Sequence, residues 1–190
     1  MPKWSTIVLL SGGIDSALCA LLAGRDEKDF LALTVDYGQN QAEQAAAVQL
    51  AQIYHWPHCR VAVTPFPQSL DPAGTNLIPG RNVMFLSIAT AMFDPRIAGR
   101  IYLGANADDQ HDYPDCRPEF FDAWSNICRL QGLNLTVKRP LVNLTKLEVV
   151  REARRRGLNL ELTVSCYAGT PPCGHCNACR LRHAALTAGP

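Results

Sequence analysis

Ile7-Val8-Leu9-Leu10-Ser11-Gly12-Gly13-Ile14-Asp15-Ser16 is the stretch on which the fold turns. Four apolar residues run into two glycines, and from Asp15 to residue 23 Ala, Leu and Cys recur at helix-compatible spacing. That is strand, tight turn, helix. At such a turn glycine lets the backbone approach an anion, and the following N–H groups with the positive helix end hold the charge. Ser11 and Ser16 add hydroxyl donors. Asp15, at the start of the helix, can cap it. Neither GxxxxGK[ST] nor GxGxxG is present, so the common triphosphatase loop and the dinucleotide fingerprint are excluded.

The same alternation continues outward. Residues 30–35, 59–63 and 100–105 read as strands, and residues 41–54, 82–93 and 118–130 as helices. Pro and Gly punctuate residues 64–80, which predicts a long surface loop. Thr145-Lys146-Leu147-Glu148 is a capping box that opens a helix ending at Gly157. Strands alternating with helices imply parallel pairing, so the expected class is α/β, a doubly wound sheet in a Rossmann-like sandwich. Ligands of such sheets lie beyond the carboxyl ends of the strands, where the loop at Ser11 falls.

A chain of 190 residues, 47% of them apolar, is large enough for one core without disulfide staples. Lys and Arg number 18 against 17 Asp and Glu, a net charge of +1, so no global field draws nucleic acid or anionic lipid. No apolar run approaches the roughly 20 residues that span a bilayer, and the first residues lack a signal-peptide core. The expectation is a cytoplasmic protein with no membrane partner.

Of the eight cysteines, four are scattered and four crowd together as Cys166, Cys173, Cys176 and Cys179. Two consecutive CxxC steps among Gly169, Pro171, Pro172 and Gly174 fit a tetrahedral zinc (Zn²⁺) knuckle. A four-iron cluster accepts similar spacing and stays open. His175 reads as an exposed passenger, and the metal as a device for folding the C-terminal segment. The expected division is a nucleotide-binding domain over residues 1–160 and a metal-binding segment over residues 161–190.

SGGIDS after a strand near the N-terminus resembles the pyrophosphate loop of the ATP pyrophosphatases. Further strings narrow the likeness: Asp36-Tyr37-Gly38-Gln39, Pro79-Gly80-Arg81-Asn82, Tyr113-Pro114-Asp115-Cys116-Arg117-Pro118, Ser165-Cys166-Tyr167 and the run from Cys173 to Arg182. In this order they resemble the 7-cyano-7-deazaguanine synthase (QueC) family over most of the chain. The resemblance implies an adenine nucleotide alpha-hydrolase-like sandwich, a homodimer, and a carbon–nitrogen ligase using ATP and Mg²⁺. Its substrates would be 7-carboxy-7-deazaguanine and ammonia. Adenylation of the carboxylate would give the amide, and a second adenylation the nitrile.

Site roles follow from the same resemblance. Ser11, Gly12, Gly13, Asp15 and Ser16 would hold the phosphates and metal, with Asp36, Arg81 and Asn82 facing the nucleotide. Lys146 would stabilise phosphate charge, a better use for a cation than decorating a helix N-terminus. Asp109, Tyr113, Asp115 and Arg117 would bind the purine-like substrate, Arg117 by pairing with its carboxylate. Cys116 would line the pocket. Family members commonly carry Arg-His where this chain has Asn40-Gln41, and a Glu where it has Ala107. A second reading therefore stays open: adenylation followed by transfer to another amine, on a protein or nucleic acid, stopping at an amide.

Overall fold

A computed structural model describes residues 4–27, 29–64 and 78–188. Five parallel strands form one sheet: β1 (Thr6–Leu9), β2 (Leu31–Asp36), β3 (His58–Ala62), β4 (Gly99–Tyr102) and β5 (Leu135–Lys138). Their order is β3-β2-β1-β4-β5. The chain builds outward from β1 on one side, then returns to lay β4 on the other. Connections diverge at that point, and a crevice opens beyond the carboxyl ends of β1 and β4.

Helices cover both faces: α1 (Ile14–Asp26), α2 (Gln41–Ile53), α3 (Arg81–Ala91), the short α4 (Asp109–Asp112), α5 (Pro118–Leu130), α6 (Lys146–Arg155) and α7 (Asn177–Thr187). Successive side chains of a strand point to opposite faces. Ile7 and Leu9 of β1 accordingly pack with Leu86 and Ala89 of α3 and Phe121 and Trp124 of α5. Val8 and Leu10 turn the other way, onto Cys19, Ala20 and Ala23 of α1 and Ala47 and Ala51 of α2. A strand buried on both faces reads as an unbroken apolar run, which is why β1 was legible. Val149, Val150 and Ala153 of α6 close over α1, and Ala185 of α7 joins them.

The doubly wound α/β class expected from the sequence is the one observed. Both bonds of the Thr145 capping box are formed. The sequence pattern missed β5, α4 and α7, each short or weakly patterned. Most of the surface loop expected over residues 64–80 lies outside the described residues. No helix among the described residues is long and apolar enough to cross a membrane.

Candidate active site

Two adjoining clefts open at the carboxyl end of the sheet, on either side of the loop at Ser11. Ser11, Gly13, Asp15, Glu43, Asp109, Tyr113 and Tyr167 line both. Leu9, Leu33, Leu103 and Phe85 give the first, of about 270 Å³, an apolar floor. The second, of about 160 Å³, runs between α4, the start of α6 and α7.

Hydroxyls knit the loop at Ser11 together. Ser16 Oγ accepts from the Ser11 N–H at 3.1 Å and donates to the Gly13 carbonyl at 3.1 Å. The Ser11 and Ser16 hydroxyls are themselves 3.1 Å apart. From the far end of the chain the Val164 N–H donates to the Gly12 carbonyl at 3.0 Å. Gly12 itself faces away from both clefts. At φ +97° a Cβ there would lie 2.3 Å from the Glu43 carbonyl oxygen and 2.9 Å from the Ala47 nitrogen, so this glycine lets α2 close against the loop. Gly104 does the same for α1, because its Cβ would meet the Asp15 backbone at 2.8 Å.

Asn106, almost fully buried, organises the charges. Its side-chain oxygen accepts from the Asp108 and Asp109 N–H groups. Its Nδ2 donates to Asp15 at 2.9 Å, and its own N–H donates to Asp109 at 3.0 Å. Asp108 accepts from the Lys146 N–H at 2.8 Å, pinning the start of α6 to this turn. Lys146 Nζ then pairs with the Asp15 carboxylate. Burial and repulsion from Asp15 push the Asp109 carboxyl up to about 6, against the pull of the Asn106 N–H.

Arg81 enters the first cleft from the start of α3 and hydrogen-bonds the Tyr37 hydroxyl. Asn82 reaches the same wall, but its amide donates to the Asp115 carbonyl at 3.2 Å and lies 3.8 Å from Cys116 Sγ. Burial and the nearby Asp109 push the Cys116 thiol up to about 12, so it stays protonated as a wall of the cleft.

Not every expected site residue reaches the clefts. Ser11, Gly13, Asp15, Ser16, Arg81, Asn82, Asp109 and Tyr113 line the first, and Lys146 the second. Gly12, Asp36, Asp115 and Arg117 line neither. Asp36 accepts from Gly38 and Gln44 and lies 3.9 Å from Arg60, so it holds the turn after β2. Arg117 is exposed and donates to the Gln110 carbonyl at 3.1 Å. Conversely, Glu43 carried no sequence signal, and Tyr167 stood only in the string Ser165-Cys166-Tyr167, with no role given to it. Burial raises the Glu43 carboxyl to about 7, with Arg81 opposing. The Tyr167 hydroxyl lies 3.3 Å from that of Tyr113.

Tyr167 follows Cys166, and here the cysteine segment meets the clefts. Asn40 caps α2 through the Glu43 N–H and donates to the carbonyls of Cys166 and Tyr167. The sulfurs of Cys166, Cys173, Cys176 and Cys179 all lie within 4.8 Å of one another, an arrangement that can hold a metal ion. Backbone N–H groups of Cys176 and His175 draw the Cys173 thiol down to about 6, toward the thiolate that binds metal.

A family model described as Queuosine biosynthesis protein QueC matches residues 5–75 and 61–189. The chain is 37% identical over 214 residues to the 7-cyano-7-deazaguanine synthase of Synechococcus sp. (strain CC9605), covering 98% of this chain and 94% of the relative. It is 36% identical to the synthase of that name from Aromatoleum aromaticum (strain DSM 19018 / LMG 30748 / EbN1), over 96% and 92%. Among solved structures it resembles NMN synthetase from Francisella tularensis, with a TM-score of 0.56 at 17% identity over 90% of this chain and 70% of that one. The U34-tRNA thiolase NcsA from Methanococcus maripaludis, solved with its [4Fe-4S] cluster, gives 0.55 at 20% identity over 98% and 65%. These distant likenesses carry the fold, and the matches along the sequence carry the family: the chain belongs to the QueC family.

Proposed function

We propose that this chain is an ATP-dependent carbon–nitrogen ligase that adenylates 7-carboxy-7-deazaguanine and converts it with ammonia, through the amide, to 7-cyano-7-deazaguanine. One observation carries the reading beyond family membership: the loop at Ser11, the first turn of α1 and the Asp15–Lys146 pair converge on two joined clefts. The larger cleft, with its apolar floor, suits a nucleotide and a flat ring system.

In this reading the N–H groups at the start of α1 and the Ser11 and Ser16 hydroxyls hold the ATP phosphates. Mg²⁺, when bound at Asp15, would neutralise charge on the departing pyrophosphate. Lys146 stabilises the same charge, and Asp15 orients its ammonium group. Arg81 and Tyr113 face the substrate, and Asp109, held by Asn106, accepts hydrogen bonds from its ring. Adenylation then depends on alignment and charge stabilisation.

The four thiols suit zinc. Sulfurs around a tetrahedral Zn²⁺ at 2.3 Å lie about 3.8 Å apart, close to the 4.0 Å between Cys173 and Cys179. A four-iron cluster spreads its ligands, since each binds a different iron. The ion's work is to fold residues 161–190 against the sheet domain of residues 1–160 and so to seat Tyr167. The reading also includes a homodimer in the cytoplasm, the former tested by light scattering.

Mass spectrometry of products from protein, ATP, Mg²⁺, 7-carboxy-7-deazaguanine and ammonium tests the function, with Ser16→Ala as control. Nitrile with AMP for each adenylation is expected. Amide alone would end the nitrile reading, and no AMP would end the ligase reading altogether.

A further inference from the structure

Four residues, from α1, α6 and the turn before α4, close a ring of hydrogen bonds. The Asp15 carboxylate accepts from Asn106 Nδ2 at 2.9 Å, and Asn106 Oδ1 accepts from the Asp108 N–H at 2.9 Å. The Asp108 carboxylate accepts from the Lys146 N–H at 2.8 Å, and Lys146 Nζ returns to the other oxygen of Asp15. Asp109 hangs from this ring by two bonds. Its N–H donates to Asn106 Oδ1 at 3.1 Å, and its carboxylate accepts from the Asn106 N–H at 3.0 Å. Asp15, Asp108 and Lys146 are half-buried, whereas Asn106 is 3% exposed. Chemistry at this position calls for an amide. Two backbone N–H groups meet only an acceptor and a carboxylate only a donor, so the oxygen faces the turn and the nitrogen faces Asp15. Aspartate here would set like charges together, and leucine would leave buried N–H groups without a partner. Gly104 supplies the proximity: a Cβ there would meet the Asp15 backbone at 2.8 Å, so its absence lets α1 close on the chain two residues before Asn106.

We propose that Asn106 is a positioning residue for the ligase reaction: one buried amide sets the Asp15–Lys146 pair, which serves the phosphates, at a fixed distance from Asp109, which serves the substrate ring. This rests on the reading of the clefts as a carboxylate-adenylating centre. Adenylation needs the substrate carboxylate in line with the α-phosphorus, and a misplacement of about 1 Å between reacting groups costs about 10²-fold in rate. Asp15 and Asp109 line both clefts, whereas Asn106 lines the second and not the larger first, so its effect passes through its partners. The Asp15 charge also repels that of Asp109, and the residue bonded to both holds them against that repulsion.

Two substitutions separate the two ends of the amide. In Asn106→Ser the hydroxyl still accepts from the turn that follows it, but it is too short to reach Asp15. Pyrophosphate exchange into ATP, dependent on 7-carboxy-7-deazaguanine, should lose about 10²-fold in kcat, while the KM for that acid stays within about threefold of the parent. Asn106→Ala gives up the turn as well, and the same KM should then rise about tenfold, as it does when a hydrogen bond to a charged group is lost. A double-mutant cycle distinguishes positioning from damage to the fold. In an Asp15→Ala background Asn106→Ser should cost less than about threefold in kcat, because the contact it removes is already gone.

An unchanged kcat in Asn106→Ser, a raised KM without a fall in kcat, or an equal loss in the Asp15→Ala background overturns the proposal. Absence of exchange in the parent would instead sink the adenylation reading. Asp108→Ala opens the ring at a half-buried link and leaves the buried amide in place, so it carries the test if the serine variant does not fold. It should lower the same kcat about tenfold with the KM for the acid unchanged, and an unchanged kcat there overturns the proposal as well.

Discussion

Lys146 at the start of α6 pairs with Asp15 in the first turn of α1, two residues 131 positions apart in sequence and both largely withdrawn from water, at 13% and 20% side-chain exposure. A lysine at a helix N-terminus opposes the helix dipole. The Asp15 carboxylate offsets that cost and holds the ammonium group in the cleft that the loop at Ser11 also lines. Lys146→Met should slow substrate-dependent pyrophosphate exchange about 10²- to 10³-fold. Asp15→Asn added to it should cost far less than it does alone, because the two act as a unit. Additive losses would show that they act separately.

Two glycines with left-handed backbones should respond differently to a methyl group. Gly12→Ala drives a Cβ into the Glu43 carbonyl and the Ala47 nitrogen, whereas a Cβ at Gly80, φ +76°, meets nothing within 4 Å. Urea midpoints should show a loss of about 3 kcal/mol or more at Gly12 and about 1 kcal/mol at Gly80, the conformational strain alone. Equal losses would remove close packing as the reason for Gly12.

Arg81 and Arg117 make a paired kinetic test. The first lines the nucleotide-sized cleft beside Tyr37, and the second is exposed on the Gln110 carbonyl. Arg81→Met should lower kcat/KM about 10²-fold, as loss of a charge-stabilising contact does. Arg117→Met should stay within about threefold, as exposed substitutions do. The reverse ranking would return Arg117 to the substrate.

Metal and site should be lost together. Cys176→Ser removes a thiol that also accepts from the Cys179 N–H at the start of α7. Elemental analysis should find zinc in the parent and little in the variant, with a lower thermal midpoint. Pyrophosphate exchange should fall as well, because Tyr167 is seated by the same segment. An active, metal-free variant would show that the clefts stand without the knuckle.

Stability of Glu43→Gln should depend on pH with a definite sign. The folded carboxyl lies near 7 against an ordinary value of 4.5. Between those values the native chain binds more protons than the unfolded one, so its stability falls as pH rises through that window. The glutamine variant escapes this loss. In urea titrations it should match the parent near pH 4 and exceed it by about 1 to 3 kcal/mol at pH 8. A variant weaker than its parent at pH 8 would mean that the carboxylate is held by groups that favour its charge.

The sequence showed the frame more clearly than the walls of the site. Ser11 to Ser16 could be placed because a buried parallel strand, a glycine turn and a helix each leave a local pattern. The Thr145–Glu148 box and the cysteine spacing are local in the same sense. Asp36 and Arg117 were read on the correct loops, yet the direction of a side chain depends on partners such as Gln44 and Gln110 that sequence spacing does not reveal. Glu43 left no trace at all, and Tyr167 only a place in a family string without a role. One sits on a helix otherwise rich in Ala and Gln, the other behind a cysteine, and only the packing of α2 and the C-terminal segment around Gly12 brings both into the clefts.

The Val164 N–H that meets the Gly12 carbonyl also sets a timetable. The loop at Ser11 leaves the ribosome well before Val164, and at about 5 to 20 residues per second the sheet can begin to assemble in the interval. The group that completes the loop follows only after all five strands have been made, together with Tyr167 and the thiols. A nascent chain can therefore hold most of its core while still unable to spend ATP.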